Sequence, residues 1–200
     1  MTTNRQNGSL YVNIQNKIAT VEFGHPASNS FPSELLERLT NELHAIAKND
    51  EVSVVILKSE GERAFCAGAS FDELVAITNL EEGKKFFSGF ANVINAMRTC
   101  GKIIIGRIQG KTVGGGVGLA AACDYVLATE AASIKLSELT IGIGPFVIEP
   151  AVSRKIGLAA TSTLTLDATS WQNAYWAKEK GLYAKVFESI KELDEEVAHL

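Results

Sequence analysis

Gly114-Gly115-Gly116-Val117-Gly118-Leu119-Ala120-Ala121-Ala122 is the stretch that decides the fold. It follows the apolar, β-forming residues 103–108, so it predicts a strand, a glycine turn and an alanine-rich helix. The first N–H groups of such a helix lack intrahelical acceptors and lie at the positive end of its dipole. Glycine also lets a ligand approach the backbone closely. The stretch therefore predicts a binding site for negative charge.

A second segment of small residues, Ala64-Phe65-Cys66-Ala67-Gly68-Ala69-Ser70, follows another apolar run at residues 52–57. Taken alone, either segment is compatible with a tight turn that only permits close packing. Two such turns after two strands can instead supply two backbone N–H donors to one ligand. The pair in this order favours that second interpretation.

Composition restricts the class of protein. The 200 residues are 46% hydrophobic and 21% charged, which fits one globular domain. The net charge of −4 and the absence of a basic block argue against nucleic acid as a partner. No apolar run approaches the roughly 18–20 residues of a membrane span, and residues 1–7 lack the apolar region of a secretion signal. Three widely spaced cysteines favour reduced thiols, so we expect a cytoplasmic protein.

Apolar periodicity predicts a mixed α/β fold. Residues 10–14 and 18–23 alternate around Asn16-Lys17, which predicts a hairpin. Pro32 and Ser33 then open an amphipathic helix. Further strands are predicted at 52–57, 103–108, 124–128 and 134–136, and further helices at 71–77, 80–97 and over most of 148–180. Strands alternating with helices indicate an α/β class, and the hairpin implies mixed strand pairing.

Several familiar chemistries have no motif in the chain. HExxH, CxxC, GxSxG and GxGxxG are all absent, and residues 106–112 have one residue too few between their glycines for a phosphate loop. The three histidines are far apart and are interpreted as surface or loop residues. We therefore expect no metal and no organic cofactor.

Several motifs in order carry a family resemblance. Residues 64–69 are followed by Gly114-Gly115-Gly116, then by residues 121–125, 137–143 and 177–182. From about residue 10 to 188 this pattern resembles the crotonase superfamily of enoyl-CoA hydratases and isomerases. The resemblance implies a crotonase-like spiral of ββα units that forms a single domain over residues 1–200. It also implies an acyl-CoA thioester as substrate, with coenzyme A entering only as part of that substrate.

The resemblance assigns an oxyanion hole to the N–H groups of Ala69 and Gly115. Two fixed donors stabilise a thioester enolate more than the ground state, because the negative charge develops on one oxygen during the reaction. The loop at residues 27–30 matches the region where the family meets the CoA nucleotide. The expected residues contacting CoA or the acyl group are Ala27, Asn29, Ala67, Gly68, Ser70, Phe71, Gly114, Gly118 and Gly144.

Proton transfer is where the chain departs from the common hydratase pattern. Hydratases resembling this chain carry one glutamate at the position of Gly118 and another at the position of Glu138. Only Glu138 is present, and the apolar residues around it are expected to raise its pKa. A single glutamate favours double-bond isomerisation over hydration. Decarboxylation and thioester hydrolysis stay open, as does a non-catalytic acyl-CoA-binding or assembly module.

Family members usually continue into C-terminal helices that cover the acyl pocket and help to form a trimer, whereas this chain stops at Leu200. The C-terminal region thus looks shortened, and the amphipathic residues 186–197 are expected to expose an apolar face that favours a homo-oligomer, a trimer or hexamer by resemblance. The acidic run 194–196 is interpreted as a solvated helix face. One set of apolar residues could line the pocket or belong to the core: Leu74, Phe86, Phe87, Phe90 and Phe146.

Overall fold

Two β-sheets organise the chain in a computed structural model, which describes residues 7–200. The larger sheet has the order β1-β2-β3-β5-β7-β9, and the smaller one β4-β6-β8. Residues 1–7, which were expected to contain no secretion signal, lie largely outside the described range. The strands are β1 (Ser9–Gln15), β2 (Ile18–Gly24), β3 (Val54–Ser59), β4 (Ala64–Cys66), β5 (Ile103–Ile108), β6 (Lys111–Val113), β7 (Tyr125–Thr129), β8 (Ile134–Lys135) and β9 (Lys185–Phe187).

Seven helices and a short 3-10 turn cover the sheets within the described residues. They are α1 (Ser33–Ala47), α2 (Phe71–Val75), α3 (Leu80–Thr99), α4 (Gly115–Ala122), α5 (Glu149–Leu166), α6 (Ala174–Glu179) and α7 (Ile190–His199), with the 3-10 turn at Glu138–Ile141. Helix α5 is kinked at Gly157, where φ is 79°. Within residues 7–200, none of these helices is long and apolar enough to cross a membrane.

The predicted hairpin and the mixed pairing are both confirmed. Strands β1 and β2 pair antiparallel, whereas the other neighbours in the larger sheet pair parallel. Asn16 and Lys17 have φ values of 51° and 64°, as a two-residue turn with both central residues left-handed requires. The N-terminal hairpin therefore forms one edge of the sheet and the parallel strands follow from it.

The parallel strands are connected through repeated ββα units. A strand of the larger sheet is followed by a short strand of the smaller sheet and then by a helix, as in β3-β4-α2, β5-β6-α4 and β7-β8-α5. Each unit thus carries the chain from one sheet to the other before it returns. This arrangement is the spiral of ββα units that the resemblance implies.

The helix α1 shows why the apolar pattern predicts the core correctly. Leu35, Leu36, Leu39, Leu43 and Ile46 are all buried, as their helical spacing predicts. Helix α1 packs on α3.

All three cysteines are free and buried, and burial raises the pKa of the Cys66 thiol to about 12. These thiols are core residues.

The C-terminal residues differ from expectation. Helix α7 contacts β5, β7 and β9, and its residue Leu193 is fully buried. The exposed apolar face expected at residues 186–197 is therefore not formed. In the acidic run, Asp194 and Glu195 are exposed, as predicted, whereas Glu196 is partly buried. Asp194 accepts two hydrogen bonds from Arg107 of β5, at 2.8 and 3.0 Å, and the Arg107 side chain is only 7% exposed. Burying a guanidinium in the sheet requires this counter-charge.

Candidate active site

A cavity of about 190 Å³ lies where the segment after β4, the start of α4 and the 3-10 turn meet. It includes all three proposed catalytic positions, Ala69, Gly115 and Glu138. Its wall is otherwise mainly apolar. The other residues around it are Ala67, Gly68, Phe71, Leu74, Phe86, Phe87, Phe90, Val113, Gly114, Ser137, Ile141, Ile143, Gly144, Pro145, Val147 and Ile148.

The main chain of Phe31 holds the segment after β4 in place. Its N–H donates to the Gly68 carbonyl at 2.8 Å, and its carbonyl accepts from the Ser70 N–H at 2.9 Å. Ala69 lies between these two bonds, paired with Phe31 in a parallel bridge. Within residues 7–200, no group accepts a hydrogen bond from the Ala69 N–H. This N–H is therefore available to a ligand.

The start of α4 supplies a second available donor. The Gly114 N–H donates to the Lys135 carbonyl at 2.9 Å, and the Gly114 carbonyl accepts from Val117 and Gly118. The Gly115 N–H, at the first position of the helix, has no acceptor in the part of the chain that the structure describes. A Cβ placed on Gly68 would lie 3.5 Å from the Gly115 nitrogen, so the two glycine segments are direct neighbours.

Glu138 opens the 3-10 turn and faces the same cavity. Its Oε2 atom is buried and has no hydrogen-bond partner among the described residues. Burial raises the pKa of this carboxyl above its ordinary value, because water can no longer stabilise the charged form. A buried carboxylate oxygen without a partner is costly, so its position in a cavity indicates a functional group.

The site contains one carboxylate. Among the described residues of the cavity wall, Glu138 is the only acidic side chain, and the only other polar side chain is Ser137. A Cβ on Gly118 would lie 2.6 Å from Cγ2 of Ile148 and 3.2 Å from Cδ1 of Ile94. Gly118 is therefore packed against other side chains, and Ile148 occupies the cavity wall beside it.

Five of the nine residues expected to contact CoA or the acyl group lie on the cavity wall: Ala67, Gly68, Phe71, Gly114 and Gly144. The other four do not. Gly118 is packed into the core, as described above. Ser70 caps helix α2 by accepting from the Glu73 N–H at 3.3 Å, which gives its hydroxyl a local structural role.

Ala27 and Asn29 are not part of the wall, although Ser28 between them accepts a hydrogen bond from the N–H of the wall residue Ala67 at 3.2 Å. Ala27 is exposed. Asn29 is buried, and its side-chain amide donates to the carbonyls of Glu60 and Ala64, both at 2.8 Å. Its Oδ1 accepts from the His25 N–H at 3.0 Å. The Asn29 side chain therefore ties the loop to the sheet and has no atom in the cavity wall.

The apolar set divides between the cavity, the core and the surface. Leu74, Phe86, Phe87 and Phe90 line the cavity, and Phe90 also belongs to the buried core, whereas Phe146 is 82% exposed and lies off the wall. Sequence reasoning did not identify Val113, Pro145, Val147 or Ile148. These residues adjoin the glycine turn or follow Gly144, and adjacency to those motifs was the available signal.

Comparisons with known proteins identify the family. The model of the enoyl-CoA hydratase/isomerase family matches residues 13–200. A short-chain-enoyl-CoA hydratase of Clostridium acetobutylicum is 31% identical over 176 residues, which are 87% of this chain and 67% of that protein. A Δ(3,5)-Δ(2,4)-dienoyl-CoA isomerase of Arabidopsis thaliana is 30% identical over 167 residues, covering 76% of this chain and 58% of that protein.

The likeness extends to solved structures. The crystal structure of an enoyl-CoA hydratase from Bacillus anthracis matches with a TM-score of 0.87 and 31% identity, covering 97% of this chain and 74% of that one. Across three curated relatives, the chain spans between 53% and 67% of their length. Family model, sequence relatives and fold agree, and the chain therefore belongs to the enoyl-CoA hydratase/isomerase family, within the crotonase superfamily.

Proposed function

We propose that this protein isomerises the double bond of an enoyl-CoA thioester through an enolate, with Glu138 as the single proton shuttle. The observation that carries the proposal is the buried Oε2 of Glu138, which has no partner among the described residues and faces a cavity with two available N–H donors. Family membership supports the thioester as substrate, since the similar proteins include enoyl-CoA hydratases and a dienoyl-CoA isomerase.

The N–H groups of Ala69 and Gly115 are proposed to bind the thioester oxygen. Both lie on the cavity wall, and neither donates elsewhere within residues 7–200. Donors that are already fixed stabilise the charge that develops on this oxygen without having to reorganise. By analogy with other oxyanion holes, each donor is worth about 3–4 kcal/mol in the transition state. Ala67, Gly68, Phe71, Gly114 and Gly144 are proposed to hold the thioester and acyl group beside them.

The proposed reaction returns every proton to the substrate. The Glu138 carboxylate removes a proton from C2 of a 3-enoyl thioester, and the electron pair of the C–H bond forms a dienolate with its charge on the thioester oxygen. Protonated Glu138 then delivers the proton to C4, the C3–C4 double bond becomes single and a C2–C3 double bond forms. The product is a 2-enoyl thioester and the carboxylate is regenerated, as expected of a general base that then acts as an acid.

Isomerisation fits the cavity better than hydration. Hydration has to position and activate a water molecule as well as transfer a proton, and Glu138 is the only carboxylate on the described cavity wall. At Gly118, where the resembling hydratases carry their first glutamate, Ile148 and Ile94 leave no room for a side chain. We retain as a prediction that Ala27 and Asn29 contact the CoA nucleotide of the substrate.

The test is a panel of 2-enoyl- and 3-enoyl-CoA thioesters of increasing acyl length. We expect 3-enoyl substrates to gain the absorbance of the conjugated thioester. Loss of that absorbance from 2-enoyl substrates would instead show hydration, and release of the CoA thiol would show thioester hydrolysis. Release of carbon dioxide from a carboxyacyl thioester would show decarboxylation. Binding of thioesters with no turnover of any of them would contradict the proposal and favour a non-catalytic binding module.

We also propose a homo-oligomer of this chain. Exposed apolar side chains support it, since Leu158 and Leu166 of α5 are 71% and 78% exposed and Phe146 is 82% exposed. A contact between copies of the chain would bury such side chains. Light scattering of the purified chain measures its mass directly, and a monomer at all concentrations would contradict this proposal.

A further inference from the structure

Phe90 of helix α3 packs directly on the first residue of α4. A Cβ placed on Gly115 would lie 2.4 Å from Cζ of Phe90 and 2.6 Å from both Cε atoms, and these are its three nearest neighbours. No L-residue fits there without displacing the ring. The backbone of Gly115 is not in the left-handed region, so the ring, and not the backbone conformation, excludes a side chain.

Phe31 makes the matching contact with the other donor segment. Its N–H and carbonyl bond to Gly68 and Ser70, on either side of Ala69. In a parallel bridge, the residue between two such bonds directs its own N–H away from the bonded strand. The main chain of Phe31 therefore fixes the direction of the Ala69 N–H. The ring of Phe31 takes no part in these bonds and can pack elsewhere.

The two phenylalanines also meet each other. The rings of Phe31 and Phe90 are 5.7 Å apart between centroids and inclined at 74°, an edge-to-face arrangement. Phe31 is 0% exposed and Phe90 6% exposed. An unbroken series of contacts thus runs from Ala69 through Phe31 and Phe90 to Gly115.

We infer that Phe31 and Phe90 form an aromatic bridge that sets the separation of the two oxyanion donors, and that both are positioning residues. The inference rests on the proposed function of Ala69 and Gly115. The two segments already meet directly at Gly68 and Gly115, and the packed rings, which resist compression steeply, hold them at that spacing. Donors that act only at fixed distances need such a support, since a small displacement lowers the rate strongly.

The bridge is tested by making the side chain at position 90 smaller, the side chain at position 115 larger, and then combining the two changes. Phe90→Leu removes the ring tip, and we expect kcat to fall by about 10²-fold while KM changes much less. Gly115→Ala keeps the N–H donor but adds the Cβ that collides with the ring, and we expect a fall of similar size. In the double variant the smaller leucine accommodates the new Cβ, so kcat should recover about tenfold over the worse single variant.

Stability and spectroscopy separate positioning from general packing. Leu164→Ala, a buried residue of α5 outside the cavity wall, is the control that loses core packing but keeps kcat. A bound arylenoyl thioester absorbs further to the red when its carbonyl is polarised. The parent chain and Leu164→Ala should show this shift, and Phe90→Leu should show less of it. If Phe90→Leu does not fold, Phe90→Met also removes the rigid ring, while its flexible side chain fills part of the space, and the same effect on kcat is expected.

Two results would overturn the inference. In the first, Phe90→Leu loses stability like Leu164→Ala but keeps its kcat and its red shift. In the second, the double variant shows no recovery, which means that the contact between positions 90 and 115 does not set the donor spacing. A parent chain with neither turnover nor red shift would overturn the proposed function itself, and the inference with it.

Discussion

Glu138 lies against the main chain of Gly114, since a Cβ placed on Gly114 would lie 2.9 Å from Oε1. The proposed base and the turn that starts α4 are therefore in contact. Gly114 has a φ of 53° and precedes the proposed donor Gly115, so the same turn places the donor and limits the position of the base.

Gly114→Ala is predicted to reduce both stability and activity. The positive φ strains any residue with a Cβ by about 1–2 kcal/mol, and the Cβ also displaces the Glu138 carboxylate. We expect kcat to fall by about 10²-fold. Gly101→Ala is the matched control, since Gly101 has a φ of 70° and nothing within 4 Å of its Cβ position. Equal kcat in the two variants would contradict the contact between base and turn.

Glu138→Gln is predicted to lower kcat by about 10²–10⁴-fold with little change in thioester affinity, because the amide keeps the shape but cannot accept the proton. Steady-state kinetics with a 3-enoyl thioester, together with calorimetric binding of an unreactive acyl-CoA, separate the two effects. Glu149→Gln, on the nearby helix α5 but outside the cavity wall, is the control. Full activity of Glu138→Gln would remove Glu138 from the mechanism.

The raised pKa of Glu138 predicts how stability depends on pH. Burial raises the carboxyl pKa in the folded state, so between the ordinary and the raised pKa the folded chain binds more protons than the unfolded chain. Stability therefore falls as pH rises through this interval. Glu138→Gln lacks the buried charge, and we expect it to be more stable than the parent at neutral pH, with the difference vanishing as pH falls to the ordinary carboxyl pKa. Melting temperatures of both chains across this range measure the effect, and a constant difference would contradict it.

The crowding at Gly118 predicts how hydration could be introduced. Gly118→Glu alone should destabilise the fold by about 1–3 kcal/mol, because the new side chain meets Ile148. Combining Gly118→Glu with Ile148→Ala gives the carboxylate space, and we expect the ratio of hydrated to isomerised product to rise. Ile148→Ala alone is the control and should not raise this ratio. A rise in Gly118→Glu alone would show that the site is less crowded than the structure indicates.

Elements with a clear apolar pattern could be predicted from the sequence with accuracy. The strand at residues 103–108 and the buried face of α1 match the structure, since their apolar spacing reports burial directly. The short strands β4, β6 and β9 could not be found in this way. Each has only three residues, too few for a period to show, and each forms only because a partner strand distant in sequence accepts it.

The same distinction between local pattern and long-range contact applies to the candidate site. Glu138 and the two glycine segments are local motifs, and the structure brings them to one cavity. The packing of Ile148 on Gly118 and of Phe90 on Gly115 joins elements that are far apart in the chain, so no local pattern indicates it. The ion pair of Asp194 with Arg107 is likewise invisible in the sequence, because the two residues are 87 positions apart, although Asp194 itself is exposed, as the acidic run predicts.

The pairing of Arg107 with Asp194 also orders events during synthesis. The two residues are 87 positions apart, so at the usual rates of translation the carboxylate is made about 4–17 s after the guanidinium. The parallel partner β7 is available well before that, and β5 can pair with it while its arginine is still hydrated. Helix α7 is the last of the described elements to be made, so it docks onto strands that can already have paired, and the Arg107 side chain exchanges water for Asp194 only at that step.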